Sequence, residues 1–594
     1  MWETVYSLDV TIFSKFHLLV LAGVFAVVPS LCAQTPAHLK IFPLSEVHRG
    51  LKGTAFTVFE GVEPESMEVE ILGVLKDNLG PGQDMILARL HGAKAEFTGV
   101  VAGMSGSPVY IDGRLLGALS YRIGQFSKEP IAGITPIEQM FEVRDAGALP
   151  GAGSKAPITA NGPQLQPMET PLVFTGFTQE AVDRFGDRFR ALGMVPVAGL
   201  GGLDPEAKQP EPLVPGSAVS AVLVRGDIAM TGTCTVTYVD ATQLLACGHP
   251  ITQYGAVSIP MTKANVVATL PSPLNAFKIV NATETVGAFT QDRASAIYGR
   301  FGLAAHMIPV TVEIAGAGPA IRARTIHFEV LDNRQLTPNA MLVSVYQSLQ
   351  GTNNSASEIS YRLTGEMRVS TAKGEALPPL QLDAEMAQND FNPAAINAAL
   401  YVGERFDKVY QNSVEQPVIM GLRLHVEAVP TRRTAVIETA RLSAPEARPG
   451  DTVEVETTLR PYQSASRLVR LQVRIPAGTA PGPVRLMVSD GATLDRLLLP
   501  AASAQHPLAL ADTIAQINRS HANDRLYLTM LEHAPQAVLT GGTLSAVPLS
   551  MANVLEPLKE GQEMRLTGES AVESSSIEVP EAITGSKVLT LIVR

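Results

Sequence analysis

The stretch Gly103-Met104-Ser105-Gly106-Ser107-Pro108 constrains the fold more than any other part of this chain. Glycines near Ser105 let the backbone turn tightly, so that the hydroxyl projects while neighbouring amides converge on one point. Apolar runs at 109–111 and 115–119 then flank an Asp112-Gly113 pair, which is typical of a two-residue type I′ hairpin turn. A glycine-flanked serine that leads into a β-hairpin predicts a β-rich fold in which Ser105 is a candidate nucleophile.

The rest of the chain also favours short strands joined by turns. Residues 67–74 alternate apolar and acidic side chains, and similar alternation returns at 310–314, 325–330 and 468–475. Gly (49) and Pro (42) are abundant among the 594 residues, which suits many turns better than long helices. The net charge of -11 carries no basic stripe, so nucleic acid is not expected as a partner.

These patterns predict a mainly β protein with seven segments. We expect two β-barrel halves, one bearing the serine and one bearing a histidine, separated by a linker with a helix that begins after Thr178. A β-rich domain and an immunoglobulin-like β-sandwich follow, then a C-terminal region of helix and strands. The expected boundaries are a signal peptide at 1–33, a serine-bearing half at 34–150, the linker at 151–215, a histidine-bearing half at 216–305, the β-rich domain at 306–440, the sandwich at 441–500 and the C-terminal region at 501–594.

The first residues have the pattern of an export signal. Lys15 precedes an apolar run at 18–28, and small residues near Ala33 suit cleavage. We expect soluble export to a periplasmic or extracellular location with no membrane span after cleavage. A lipid anchor at Cys32 and an uncleaved anchor remain the alternatives.

Cys234 and Cys247 remain after such a cleavage. They lie in two apolar runs on either side of an Asp240-Ala241-Thr242 turn, at matching distances from it, so a cross-strand disulfide is expected. Two buried free thiols are the alternative. A metal site is not expected, because two thiols without further nearby ligands do not complete one.

Three stretches together resemble the SpoIVB peptidase family, whose members are serine peptidases related to chymotrypsin. They are the serine loop with its hairpin, the entry Gly53-Thr54-Ala55-Phe56-Thr57-Val58-Phe59-Glu60-Gly61, and Cys247-Gly248-His249-Pro250. The resemblance covers about residues 45–300 and implies a chymotrypsin-like double barrel. The serine motif is its most specific part, whereas Gly-His-Pro alone would be weak.

The resemblance also implies roles for individual residues. Ser105 would be the nucleophile and His249 its general base, with an oxyanion hole formed by the backbone amides of Gly103 and Ser105. Asp292 is the candidate third member; Asp84 and a dyad without an acid stay open. Ser107 is a weaker candidate for the nucleophile.

Two features of the motifs bear on this assignment. The serine segment precedes the histidine segment, the reverse of the family's order, which a permuted arrangement accommodates because a triad is defined by geometry. Met104 stands where chymotrypsin has an aspartate that pairs with a freed N-terminus, so activation of that kind is not expected.

The sequence thus predicts an exported serine endopeptidase whose substrate is a protein or peptide, including its own chain as one possibility, without a cofactor or metal. A location at the envelope surface would suit the modules that follow the barrels. The alternative is a non-catalytic envelope or adhesion protein that uses a peptidase-like fold as a binding module.

Overall fold

The computed structural model describes residues 40–123, 129–145, 165–168, 170–199, 201–252, 254–272, 276–316, 323–350, 358–498, 508–539, 542–544, 547–560 and 564–594. The expected signal peptide at 1–33 and the first part of the expected linker lie outside these residues. Among the helices within these ranges, none is both long and apolar enough to cross a bilayer.

Six antiparallel strands close into a first barrel, in the order β4-β1-β2-β3-β6-β5 and back to β4. Its elements are a 3-10 helix (Leu44–Glu46), β1 (Lys52–Thr57), β2 (Glu65–Gly80), β3 (Gln83–His91), α1 (Ala93–Thr98), β4 (Pro108–Ile111), β5 (Arg114–Ile123), β6 (Ile131–Pro136) and α2 (Ile137–Asp145). The alternation in β2 determines which face of the strand points into the barrel, since Met67, Val69 and Ile71 are buried and Glu68 is exposed.

The hairpin that follows the serine loop has the predicted turn. Asp112 and Gly113 both have positive φ, +49° and +69°, and Ile111 pairs with Arg114 on the two sides of the turn. Both central residues of a type I′ turn need positive φ, which asparagine, aspartate and glycine tolerate best.

A connecting region joins the first barrel to the rest of the chain. It consists of β7 (Leu165–Pro167), β8 (Thr170–Thr175), α3 (Gln179–Arg190), β9 (Met194–Ala198) and β10 (Gly201–Leu203). The helix predicted after Thr178 is confirmed, because the Thr178 hydroxyl accepts a hydrogen bond from the amide of Ala181 and caps α3. Strand β7 pairs with β5, whereas β8 pairs with a later strand, β12 (Ala229–Val239).

A second group of six antiparallel strands also closes, in the order β11-β14-β15-β16-β13-β12 and back to β11. Its strands are β11 (Ala218–Gly226), β12 (Ala229–Val239), β13 (Gln243–Ala246), β14 (Gly255–Leu270), β15 (Phe277–Arg293) and β16 (Ala296–Phe301). The mainly β, double-barrel fold class predicted from the sequence is confirmed.

The second barrel continues into further strands without a break between sheets near residue 305. These elements are β17 (Met307–Gly316), β18 (Arg324–Leu331), α4 (Thr337–Leu349), β19 (Ser360–Thr371), β20 (Leu380–Ala387), α5 (Ala394–Tyr410) and β21 (Pro417–Val429). Strand β18 pairs with β11, and one apolar core extends from the barrel to α4 and α5. The expected barrel half and β-rich domain therefore share a sheet.

In the last part of the chain two sheets pack around a separate apolar core, and three further strands form a third, smaller sheet. Its elements are β22 (Thr434–Leu442), β23 (Glu446–Ala447), β24 (Thr452–Pro461), β25 (Arg467–Arg474), β26 (Gly482–Ser489), α6 (Gly491–Leu498), α7 (Leu510–Asn518), β27 (Arg525–Glu532), β28 (Gln536–Leu539), β29 (Gly542–Leu544), α8 (Leu549–Glu560), β30 (Met564–Thr567), β31 (Ser570–Glu578), β32 (Ala582–Thr584) and β33 (Ser586–Val593). The third sheet consists of β28, β29 and β30. Because β26 lies between β33 and β27, the sandwich draws strands from both sides of the boundary expected at 500.

Candidate active site

Ser105 lies in a tight loop whose backbone depends on two glycines. Gly103 and Gly106 have φ of +93° and +97°, a region that other residues adopt at a cost. The amide of Gly106 donates to the Leu119 carbonyl at 2.7 Å, which ties the loop to β5. The Ser105 side chain is fully buried, and its Oγ has no hydrogen-bond partner in the part of the chain that the structure describes. The hydroxyl is therefore not used to hold the loop together.

Ser107 differs from Ser105 in this respect. Its Oγ donates to the Met104 carbonyl at 2.6 Å, and its amide donates to the same carbonyl at 3.0 Å. These two bonds close the turn around Ser105. Of the two serines in the motif, Ser105 is the one whose hydroxyl is free for chemistry.

The second barrel holds the serine loop through three hydrogen bonds. The amide of Thr235 donates to the Ser105 carbonyl at 2.7 Å, and its Oγ1 donates to the Gly103 carbonyl at 2.9 Å. The Thr237 Oγ1 donates to the Gly106 carbonyl at 2.7 Å. A Cβ on Gly106 would stand 1.9 Å from the Thr235 carbonyl oxygen, so only glycine fits where β12 meets the loop.

Cys234 and Cys247 form a disulfide beside these contacts, with their Cα atoms 5.2 Å apart. Cys234 directly precedes Thr235, and the amide of Cys247 donates to the Thr235 carbonyl at 3.2 Å. The strand register differs from the simple hairpin expected from the sequence. A bulge lies between Val236 and Tyr238, so Val236 pairs with Ala246.

His249 follows this hairpin and is buried, with 1% of its surface exposed. Its Nδ1 lies 2.7 Å from the Pro250 carbonyl, and because a carbonyl only accepts, Nδ1 carries the proton. The other ring nitrogen, Nε2, is buried and has no hydrogen-bond partner among the residues described. Burial lowers the pKa of His249 to about 4, so the imidazole is neutral and Nε2 is a proton acceptor at neutral pH.

The loops that carry Ser105 and His249 both pack on β5. The serine loop bonds Leu119, and Gly248 lies so close to Ser120 that a Cβ on that glycine would stand 2.9 Å from the serine Cβ. Ser105 Oγ and His249 Nε2 do not hydrogen-bond to one another. The fold thus brings both segments against β5 of the first barrel without forming the bond between Ser105 and His249.

Asp292 fixes the turn that follows His249. Its Oδ1 accepts from the amide of Ile251 at 2.9 Å, and its Oδ2 accepts from the amide and hydroxyl of Thr252 at 2.7 and 2.5 Å. The carboxylate does not bond the imidazole, whose Nδ1 is directed to Pro250. In this structure Asp292 orients the histidine loop instead of the ring.

Asp84, the runner-up for the third member, lies near the far end of the β2–β3 hairpin. It is half-buried, and its Oδ1 accepts from the amide of Asp77 at 2.9 Å. It makes no bond to His249.

The oxyanion-hole candidates are the backbone amides of Gly103 and Ser105. Within the described part of the chain, neither amide donates to a protein acceptor. Free amides on both sides of Met104 suit the binding of an oxyanion, which would otherwise compete with existing acceptors.

Lys278 lies beneath the serine loop, and the sequence reasoning missed it. It is fully buried, and its Nζ donates to the Thr57 Oγ1 at 2.7 Å. A Cβ on Gly103 would lie 3.3–3.4 Å from its side-chain carbons. Burial lowers the pKa of Lys278 to about 7. The signal that could have revealed it is a lysine inside the apolar run 276–280.

The ranges described here contain no group of three histidine, cysteine, aspartate or glutamate side chains placed to hold a metal ion.

Comparison with known families bears on the first barrel. Residues 20–140 match the family described as SpoIVB peptidase S55, which confirms the resemblance for the segment that contains the serine loop. The match ends before His249 and Asp292. Neither the curated proteins nor the solved structures contain a match to the chain.

Proposed function

We propose that this chain, a SpoIVB-type peptidase by its residues 20–140, is an exported serine endopeptidase that works through an acyl-enzyme. Ser105 is the nucleophile and His249 is the general base. One observation carries the proposal: the Ser105 Oγ and the His249 Nε2 are buried, have no hydrogen-bond partner among the described residues, and lie on loops that pack against the same strand.

In the proposed reaction, Ser105 Oγ attacks the carbonyl carbon of the scissile bond while His249 Nε2 takes the hydroxyl proton. The amides of Gly103 and Ser105 bind the negative oxygen of the tetrahedral intermediate. The imidazolium then gives its proton to the leaving amine, and the C–N bond breaks. Water attacks the ester with His249 again as base, and the acid product leaves Ser105 restored.

The bond from Nδ1–H to the Pro250 carbonyl supports this role of His249. It fixes the tautomer in which Nε2 holds the lone pair, the function that an aspartate serves in other serine peptidases. Asp292 does not bond the ring, and it acts as a positioning residue because its carboxylate accepts the amides that follow Pro250.

Burial of both groups implies an activation step before catalysis. With Ser105 and His249 at 0% and 1% exposure, a substrate carbonyl reaches them only after part of the covering chain moves. The same movement must bring Oγ within about 3.2 Å of Nε2.

A fluorophosphonate probe tests the nucleophile, because it acylates activated serines irreversibly. We expect slow labelling of the purified wild-type protein, none of Ser105→Ala, strong loss in His249→Gln and retention in Ser107→Ala. Cleavage of a fluorogenic protein substrate should follow the same order. Equal labelling of the wild type and Ser105→Ala would reject the assignment.

Export and self-cleavage are tested on the same full-length chain. Expression with its N-terminus intact should give mature protein that begins after Ala33, recovered outside the cytoplasm. Discrete fragments that disappear in Ser105→Ala would identify the chain as its own substrate.

The absence of a bond between Ser105 and His249 also favours a second candidate, a non-catalytic envelope or adhesion protein with a peptidase-like binding module. This alternative predicts no labelling of the folded protein under any condition tested, and retention of partner binding in Ser105→Ala.

A further inference from the structure

Lys278 is joined to the serine loop through the backbone as well as the side chain. Its amide donates to the Ala102 carbonyl at 3.1 Å, and the Ala102 amide donates to the Ala276 carbonyl at 2.9 Å. The first residues of β15 are therefore paired with the segment that immediately precedes Gly103. The methylene groups of the lysine then fill the space beside that glycine.

The amine of Lys278 reaches the other end of the same loop. Its acceptor, Thr57, is fully buried at the end of β1. In the register of β1 and β4, Thr54 pairs with Tyr110 and Ala55 with Val109. Continued along both strands, this register sets Thr57 opposite the end of the serine loop, so Lys278 spans the loop from below.

No counter-ion accompanies this amine within the described residues. Strand β14 places Thr269 opposite it, and the Thr269 hydroxyl donates to the Phe59 carbonyl. None of the titratable side chains on the strands packed against Lys278 pairs with its amine; these side chains are Lys52 on β1, Lys263 on β14, and Glu284, Asp292 and Arg293 on β15.

A protonated lysine in this place has three N–H donors and, within the described ranges, one acceptor, the neutral Thr57 hydroxyl. Desolvation without a counter-ion disfavours the charged form, which is why the pKa of Lys278 falls to about 7. The side chain therefore changes its charge close to neutral pH, directly under the loop that carries Ser105.

We infer that Lys278 is a positioning residue for Ser105: the neutral amine and its methylene stem support the serine loop, and protonation disrupts the loop geometry from which Ser105 reacts. The inference rests on the proposed function of Ser105.

The first test is the pH dependence of fluorophosphonate labelling in wild type, Lys278→Met and Lys278→Arg. The wild-type rate should fall about tenfold per pH unit below about pH 7, as expected for one essential neutral group. Lys278→Met has similar length and no charge, so its rate should hold until His249 is protonated near pH 4. Lys278→Arg is charged at every pH and should react slowly throughout.

A second variant keeps the amine and changes only its partner. Thr57→Val removes the one acceptor that stabilises the ammonium, so the midpoint of the wild-type profile should move to lower pH. An unchanged midpoint in Thr57→Val, or the wild-type profile in Lys278→Met, overturns the inference and leaves the role of Ser105 intact.

The unfolding midpoint gives a readout that does not require activity. Between pH 7 and 10.5 the unfolded chain binds a proton at Lys278 that the folded chain does not, so wild type should gain stability relative to Lys278→Met as pH rises. A pH-independent difference between the two proteins contradicts the inference. Absence of labelling in wild type at every pH refutes the proposed function itself, and with it the role of Lys278 in reactivity.

Discussion

Removal of the Cys234–Cys247 disulfide should weaken both the second barrel and the reactivity of Ser105. The bond closes a loop with a sequence separation of 13. The chain-entropy relation for a loop of that size gives about 3 kcal/mol of stabilisation, which comes from restricting the unfolded chain. The change to test is the double variant Cys234→Ala and Cys247→Ala, because alanine leaves no polar group in this buried place.

The loss of stability should be confined to the second barrel. The sandwich at the end of the chain has its own apolar core, separate from that of the barrels. Urea unfolding followed by hydrogen exchange should therefore show weaker protection in β11–β16 and unchanged protection in β24–β27. This internal comparison separates a local effect from general damage to the protein.

Reactivity should fall with stability because the disulfide lies beside the contact that holds the serine loop. Cys234 precedes Thr235, and the Cys247 amide bonds the Thr235 carbonyl. We expect slower fluorophosphonate labelling of the double variant even in the absence of urea, where the variant is folded. Unchanged protection in β11–β16 together with wild-type labelling would refute the reasoning.

The remaining predictions concern single side chains. Gly106→Ala should lower the free energy of unfolding by about 3 kcal/mol or more in urea, because its Cβ would meet a carbonyl oxygen of β12 at 1.9 Å. Gly61→Ala is the matched control, since Gly61 also has positive φ but has nothing within 4 Å, and it should cost only about 1 kcal/mol. Ser107→Ala should lose about 1 kcal/mol for one buried hydrogen bond and keep its labelling, and loss of labelling would contradict the choice of Ser105. Asp292→Asn should lower the free energy of unfolding by about 2 kcal/mol, because the carboxylate accepts the amides of Ile251 and Thr252. The variant should also react more slowly with the fluorophosphonate at the same serine, which peptide mapping can verify. The folded pKa of His249 is about 4 against 6.5 unfolded, so about 3 kcal/mol of stability should disappear as pH falls from 6.5 through 4, and His249→Gln should lack this part of the acid sensitivity in pH-dependent urea unfolding.

Local features were the ones that the sequence could predict. The type I′ turn depends on two adjacent residues, Asp112 and Gly113, and the cap of α3 on Thr178 and the residues just after it. The disulfide could be expected because a single hairpin brings both cysteines together. Each of these follows from residues close in sequence, where backbone preference decides the structure.

The features that the sequence did not predict depend on contacts between segments that are distant in the chain. Alternation places Asp292 and Lys278 in a strand, but not their environments. Asp292 meets the histidine loop because Gly255 lies opposite it in β14, and the buried amine of Lys278 has its acceptor in Thr57, 221 positions away. Sheet membership was equally non-local, since β17 pairs in parallel with β21 across two helices.

Because Thr235 holds the serine loop through hydrogen bonds, these contacts can form only after Thr235 has been synthesised. Ser105 leaves the ribosome roughly 130 residues before Thr235, an interval on the order of 10 s at ordinary translation rates. During that interval the first barrel has no β12 to hold its loop, and His249 has not yet been made. Under the proposed function, Ser105 of a nascent chain would therefore stay unreactive until the second barrel is made.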